Sequence, residues 1–230
     1  MTRDNIKVFL KELSSFQEMW LVFAITIAYF VRTSNYDLIA RAILHIPVGS
    51  RMVDDKNLLA ICFVELLGLV LVFYILKIRG YTSLDRSITF KPQYIIHIIA
   101  IYAISNIVLR YICILFNDIA PSAYAGIIGH YHITKNASII SIVLLGIINP
   151  IYEEFLVVNY LFKKLEKLKP WLVIFISSIV RLSYHTYQGW ACLITVLPLG
   201  IIFGFYYHKF KQTLPLIIVH SIYDILALSA

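Results

Sequence analysis

The stretch INPIYEEFLVVNYLF, residues 148–162, places two adjacent carboxylates, Glu153 and Glu154, in a run whose only other polar side chains besides the tyrosines are Asn149 and Asn159. It ends an apolar run over 138–162 whose length and content suit a helix that spans a membrane. An unpaired charge at the centre of a bilayer costs about 2.5–3.5 kcal/mol on the insertion scale. Two charges there need partners or a function. Pro150, three residues before Glu153, removes a backbone hydrogen bond to Gly146 and predicts a distorted turn next to the acids. Distorted backbone at membrane depth requires protein or water around it.

The whole chain agrees with a membrane setting. Of its 230 residues, 60% are hydrophobic and 14% charged, and the mean hydropathy is +0.80. Soluble domains carry about a quarter charged residues. Apolar runs at roughly 16–31, 58–76, 93–116, 138–162, 171–188, 190–207 and 213–229 predict an all-α bundle of about seven spans, a single integral membrane domain over 1–230. Residues 1–17 repeat Ile6, Phe9, Leu10, Leu13 and Phe16 at helical spacing, which predicts an interfacial amphipathic helix.

The net charge of +7 does not point to nucleic acid, because the basic residues lie between the apolar runs as topology signals and headgroup contacts. Thirteen of the twenty Lys and Arg fall at the N-terminus and in the 77–91, 163–169 and 209–211 connections. The positive-inside rule then puts the N-terminus in the cytoplasm. Cys62, Cys113 and Cys192 lie in apolar runs without metal-finger spacing, and read as small buried hydrophobes.

Three short patterns hold most of the intramembrane ionisable residues: EE at 153–154, RLSYH at 181–185 and HSIYD at 220–224. Arg181 and His185 are four apart, as are His220 and Asp224, so each pair shares a helix face. Glu153 and Glu154 differ by about 100° and reach one site only if their helix is distorted or the site is wide. Similar depths, about 12–13 Å from the cytoplasmic span ends for Glu153 and His220, predict one polar cavity reached from that side. Carboxylates and imidazoles converging in low dielectric suit activation of water, by a Glu base or by a metal. They also suit proton or cation transfer, but the first half of the chain lacks the matching inverted pattern of a transporter. Glu65 and Arg110, at matching depth, predict a structural ion pair on the outer side. His97, His130, His132 and His208 lie near span ends or in loops and are assigned no catalytic role.

On these residues the chain resembles the CPBP family of CAAX proteases and bacteriocin-processing enzymes, also called Abi proteins. The family pattern is Glu-Glu-x-x-x-Arg, Phe-x-x-x-His and His-x-x-x-Asn or Asp on successive helices. The likeness falls on Glu153, Glu154, His185, His220 and Asp224 and covers a core at 138–228. It implies an intramembrane endopeptidase in a bacterial cell membrane that cleaves a peptide or protein tail, in bacteriocin processing or self-immunity. The alternative is a non-catalytic scaffold or immunity protein of the same fold. The resemblance implies Glu153 as general base with His185 beside it, Glu154 as supporting carboxylate, and His220 and Asp224 at the oxyanion. Two His and a carboxylate (His185, His220, Glu153) suit Zn2+; a metal-free glutamate mechanism is the other option.

The chain departs from the pattern in three places. Val158 stands where the family has Arg, Arg181 where it often has Phe, and Asp224 takes the Asp form of the last motif. An ionised Asp accepts hydrogen bonds but cannot donate one. Arg181 is therefore expected to replace the lost Arg from a neighbouring helix, pairing with Glu154 and leaving Glu153 to work on water.

Overall fold

The structure is a computed structural model that describes residues 3–42, 51–81, 88–119, 133–189 and 191–229. His130 and His132 lie outside the described residues. Helix α1 is Arg3–Glu12, α2 Ser15–Thr26, α3 Ala28–Ala42, α4 Asp55–Ile78 and α5 Tyr94–Ile119. A 26-residue helix, α6, runs over Ile139–Lys164; α7 is Pro170–Ser183, α8 Ala191–Phe210 and α9 Leu214–Ser229. A short parallel pair, β1 (Arg51–Asp54) with β2 (Ile133–Asn136), brings the starts of α4 and α6 together. The fold is an all-α helical bundle.

Helices α4, α5, α6 and α8 are long and apolar enough to cross a membrane, while α7 and α9 are shorter apolar helices. The expected first span is α2 and the start of α3, with the boundary at Ile27, and this rod continues to Ala42 rather than stopping at 31. The expected span 171–188 ends at Ser183: α7 has 14 residues, about 21 Å. A 3-10 turn, Thr186–Gln188, follows it.

Local chemistry explains the ends. Ser14 and Gln17 form a reciprocal capping box that starts α2. Asp54 accepts from Asn57 N to start α4, and Ser138 caps α6. Asp55 Oδ1 accepts from Ser138 N at 2.7 Å and Ser138 Oγ at 2.9 Å, and also from Ser141 Oγ, so one carboxylate ties the start of α4 to that of α6. Pro170 opens α7 at a position where its missing N–H costs nothing.

Helix α6 is the axis of the bundle. It packs between α4 and α9 and meets α7 and α8 over its second half. All residues from Tyr152 to Phe162 are buried. Two cores flank it. Val22, Leu69, Val72, Tyr152 and Phe155 pack on one side, and Ile101, Val158, Phe162, Ile174, Phe203 and Leu216 on the other. Gly146 lets α9 approach so closely that an added Cβ would collide with Ile225.

A charged knot, absent from the expected set of intramembrane residues, fastens the α1 end. Glu18 on α2 is fully buried and meets Arg79 Nε at 2.5 Å and Lys164 Nζ at 2.8 Å. The Tyr160 hydroxyl donates to its Oε1 at 3.0 Å. Arg79 Nη1 also donates to the carbonyls of Leu10 and Leu13, both at 2.8 Å, and so closes the end of α1.

The Glu65–Arg110 pair does not form. Glu65 is buried and Arg110 is exposed, and no ion pair joins them. Glu65 instead faces the α6–α9 side, within Coulombic range of Glu153, Asp224 and His220. Its helix packs on α6 through Gly68, one turn away, whose added Cβ would lie 3.1 Å from the Tyr152 ring. Matching depth did not make neighbours, because α4 presents this face to α6.

Removing one side of a buried ion pair costs about 3–5 kcal/mol. Glu18→Gln is therefore expected to lower the melting temperature in detergent sharply and to expose the α1–α2 junction to limited proteolysis. Wild-type melting and wild-type cleavage kinetics would show that the knot does not hold α1.

Candidate active site

The site is built on the part of α6 that is not α-helical. The α conformation holds over Ile139–Glu153, with Pro150 inside it, and changes to a π-helix over Glu154–Tyr160 before one α turn to Lys164. A π segment widens the turn and loosens the usual carbonyl partners. Ser177 on α7 compensates by donating to the Val157 carbonyl at 2.7 Å. The turn around Pro150 stays α-helical, and the distortion begins instead at Glu154, the second of the two acids.

Arg181 draws the two adjacent carboxylates into one site. Its Nη1 donates to Glu153 Oε2 at 3.1 Å. Its Nη2 lies 2.9 Å from Glu154 Oε2 and 2.8 Å from Oε1. The guanidinium lies over the Phe203 ring, 5.7 Å from its centroid. Gly200 on α8 packs against α7, where an added Cβ would press on Ser178 Oγ at 3.3 Å and touch Arg181 Cδ at 3.5 Å. Val158 packs in the same apolar cluster as Phe203. Arg181 thus pairs with Glu154 as expected, and with Glu153 as well, which was not expected.

Only one oxygen of Glu153 is held by these contacts. Oε2 accepts from Arg181 and from the Tyr184 hydroxyl at 2.9 Å. Oε1 faces His185 Nε2 at 3.9 Å, too far for a hydrogen bond. His185 lies just past the end of α7. Its Nδ1 is 3.0 Å from the Arg181 carbonyl, which can only accept, so Nδ1 carries a proton and donates. In the neutral ring that leaves a lone pair on Nε2, toward Glu153. The 183–187 backbone is held by α3: Asn35 donates to the Ser183 carbonyl at 2.9 Å, and Tyr187 N donates to Ser34 Oγ at 2.7 Å.

His220 bridges two acids, with Nδ1 2.7 Å from Glu154 Oε1 and Nε2 3.4 Å from Asp224 Oδ1. Asn149 Nδ2 donates to Asp224 Oδ2 at 2.8 Å. The structure therefore brings together all six residues singled out in the sequence: Glu153, Glu154, Arg181, His185, His220 and Asp224. Tyr184 and Asn149 join them. Tyr184 was quoted within RLSYH but not assigned a contact, and Asn149 was visible only as a polar residue one turn before Glu153.

The cluster is packed rather than an open cavity. Side-chain exposure is 0% for Glu154, 2% for Arg181, 6% for His220 and 7% for Glu153, rising to 14% for His185 and 23% for Asp224. The more exposed members lie toward the ends of α7 and α9 that are remote from α1.

Among the described residues, no group of three or more His, Cys, Asp and Glu is arranged to hold a metal ion. The expected ligands do not fit zinc in this arrangement: a guanidinium already sits between the acids, and His220 directs both nitrogens at carboxylates.

Residues 135–226 match the family model described as Rce1-like, type II CAAX prenyl endopeptidase Rce1-like. That stretch holds every residue of the cluster. The matched model is one of the CPBP family, and residues 135–226 are similar to it. The CPBP segment begins just before α6 and ends within α9, so α1 to α5 lie outside it. No curated protein and no solved structure matches the chain. The four helices long and apolar enough to cross a membrane, with this match over 135–226, support an integral membrane protein.

Arg181→Leu strands two buried carboxylates, and by the usual cost of about 3–5 kcal/mol it should lower the melting temperature steeply. Arg181→Lys should recover only part, because an ammonium is a single point charge rather than a two-pronged fork. Val158→Arg added to Arg181→Leu should restore stability, since it returns a cation to the same apolar cluster. An unchanged melting curve for Arg181→Leu would show that the guanidinium is dispensable.

Proposed function

We propose that the chain is an intramembrane endopeptidase in which Glu153 and His185 activate a water molecule to hydrolyse a peptide or protein tail. The observation that carries this reading is the facing pair Glu153 Oε1 and His185 Nε2, 3.9 Å apart. Two acceptors at that spacing can take both protons of one water, and its lone pairs are then free for attack. Each acceptor is fixed by a second contact, Glu153 through Arg181 and Tyr184, His185 through the Arg181 carbonyl. Fixing the groups before reaction reduces the reorganisation the chemical step requires.

In this reading Glu153 accepts the water proton and returns it to the leaving amine, while the carbon–nitrogen bond breaks and the acyl carbon gains the hydroxyl. Glu154, saturated by Arg181 and His220, holds the guanidinium and the imidazole in place. Asp224 orients His220. No step is routed through a metal. The substrate class taken from the family is a short peptide segment or the tail of a membrane-associated protein. Bacteriocin processing or self-immunity in a bacterial membrane, with the N-terminus in the cytoplasm, is the setting proposed. A non-catalytic scaffold would have no use for the facing acceptor pair.

Purified protein in lipid nanodiscs, offered a pool of internally quenched peptides, should cleave a subset of them. Glu153→Gln should lower kcat by about 10²–10⁴, the usual contribution of a positioned base, with His185→Ala falling in the same range. Activity should survive exhaustive chelation. Activity that is lost on chelation and restored by one equivalent of zinc would overturn the metal-free scheme. A fully active Glu153→Gln protein would overturn the assignment of the base.

A further inference from the structure

Hydrolysis of an amide puts negative charge on the carbonyl oxygen, and a donor must meet it there. The site holds few donors that are free to do so. Both terminal nitrogens of Arg181 are bound to carboxylates. Its Nε has no hydrogen-bond partner, but Arg181 is 2% exposed and its stem is packed against Gly200, where a substrate cannot reach. The Tyr184 hydroxyl donates to Glu153. His185 donates through Nδ1 to a carbonyl and presents a lone pair on Nε2. His220 directs both nitrogens at Glu154 and Asp224. Tyr152 lies on the other side of α6, with its hydroxyl near Gly68 of α4. Asp224 as a carboxylate donates nothing.

Asn149 remains. Its amide has two N–H groups, and one donates to Asp224 Oδ2 at 2.8 Å. That bond fixes the amide plane and leaves the second N–H. Asn149 precedes Glu153 by four residues on the α-helical part of α6, so the two share a face one turn apart, with Cβ atoms about 5–6 Å from each other. A scissile carbonyl between them would meet the Glu153 water at its carbon and Asn149 at its oxygen. Asn149 is partly exposed and pairs with the most exposed acid of the cluster, so substrate can approach it.

We infer that Asn149 is a catalytic residue that donates its second amide N–H to the oxyanion of the tetrahedral intermediate, with Asp224 as the group that orients it. The inference rests on the peptidase reading above. It goes beyond it by moving the oxyanion contact from the His220–Asp224 pair to α6.

The test uses the full-length protein in nanodiscs and one peptide that the wild type cleaves. Asn149→Ala should lower kcat about 10²–10³-fold, the usual loss for one oxyanion donor, and leave KM within about twofold. Asn149→Leu, close in size and without a donor, should do the same, so a folding defect in one variant does not decide the result. Binding of a matched peptide aldehyde, whose hydrate mimics the intermediate, should weaken by the same factor as kcat/KM. Part of the loss must persist when Asn149→Ala is made in an Asp224→Ala background, because the amide keeps its donor there although less well oriented, whereas a residue acting only by holding Asp224 would have no further effect. Unchanged kcat in both variants, a loss confined to KM, or no further loss in the Asp224→Ala background overturns the inference. A wild-type protein that cleaves nothing in the pool overturns the peptidase reading and this inference together.

Discussion

A guanidinium shared by two adjacent carboxylates is the contact on which the core depends. Glu153 and Glu154 follow one another on a helix and would diverge by about 100° if each sought its own partner. Arg181 reaches both because its two terminal nitrogens are separated and rigidly coplanar, one on Glu153 and the other on Glu154. Much of the neighbouring structure serves that contact. Gly200 lets α8 pack against α7 beside the arginine stem, Phe203 offers its ring face, and Ser177 covers a carbonyl loosened by the π segment. The short α7 belongs to the same set. It ends at Ser183, so that His185, one turn beyond Arg181, caps the arginine's own carbonyl.

A second charged knot has the same logic at the other end of α6. There one buried acid, Glu18, takes two cations, Arg79 and Lys164; here one cation takes two acids. Lys164 and Tyr160 give α6 a place in the first knot, and Glu153 and Glu154 give it a place in the second. Between them the chain is wholly buried. The central helix is therefore fixed at two points by interactions that low dielectric makes costly to break. That leaves little freedom for it to rotate or slide, which a site spread over α6, α7 and α9 requires.

Much of this was legible in the sequence because periodicity reports which residues of one helix share a face. EE, RLSYH and HSIYD picked out six residues that the structure brings together, and the missing charge at Val158 pointed to Arg181. What periodicity does not report is which helices are neighbours. Glu65 and Arg110 lie at similar depth and looked paired, yet α4 turns Glu65 toward α6 while Arg110 stays exposed. Glu18 was passed over because it follows Ser15 and Gln17 at the polar start of an apolar run in SFQEMWLVF, and its spacing does not report that Arg79 and Lys164 meet it. The end of this span was set at 188, five residues beyond Ser183, because no Gly or Pro interrupts the 184–188 segment. Its backbone instead turns, supported by Ser34 and Asn35.

The exposure of the cluster divides its labour. Glu154 and Arg181 are almost sealed, and a group with no solvent access whose charged end is held by fixed partners cannot easily exchange a proton with substrate. They hold the geometry. His185, Asp224 and the partly exposed Asn149 form the open edge, and Glu153 joins the two zones, with one oxygen facing inward to Arg181 and Tyr184 and the other facing His185. Two adjacent acids are thus not redundant. Glu154 gives both oxygens to Arg181, one of them shared with His220, while Glu153 gives Arg181 one oxygen and keeps the other toward His185.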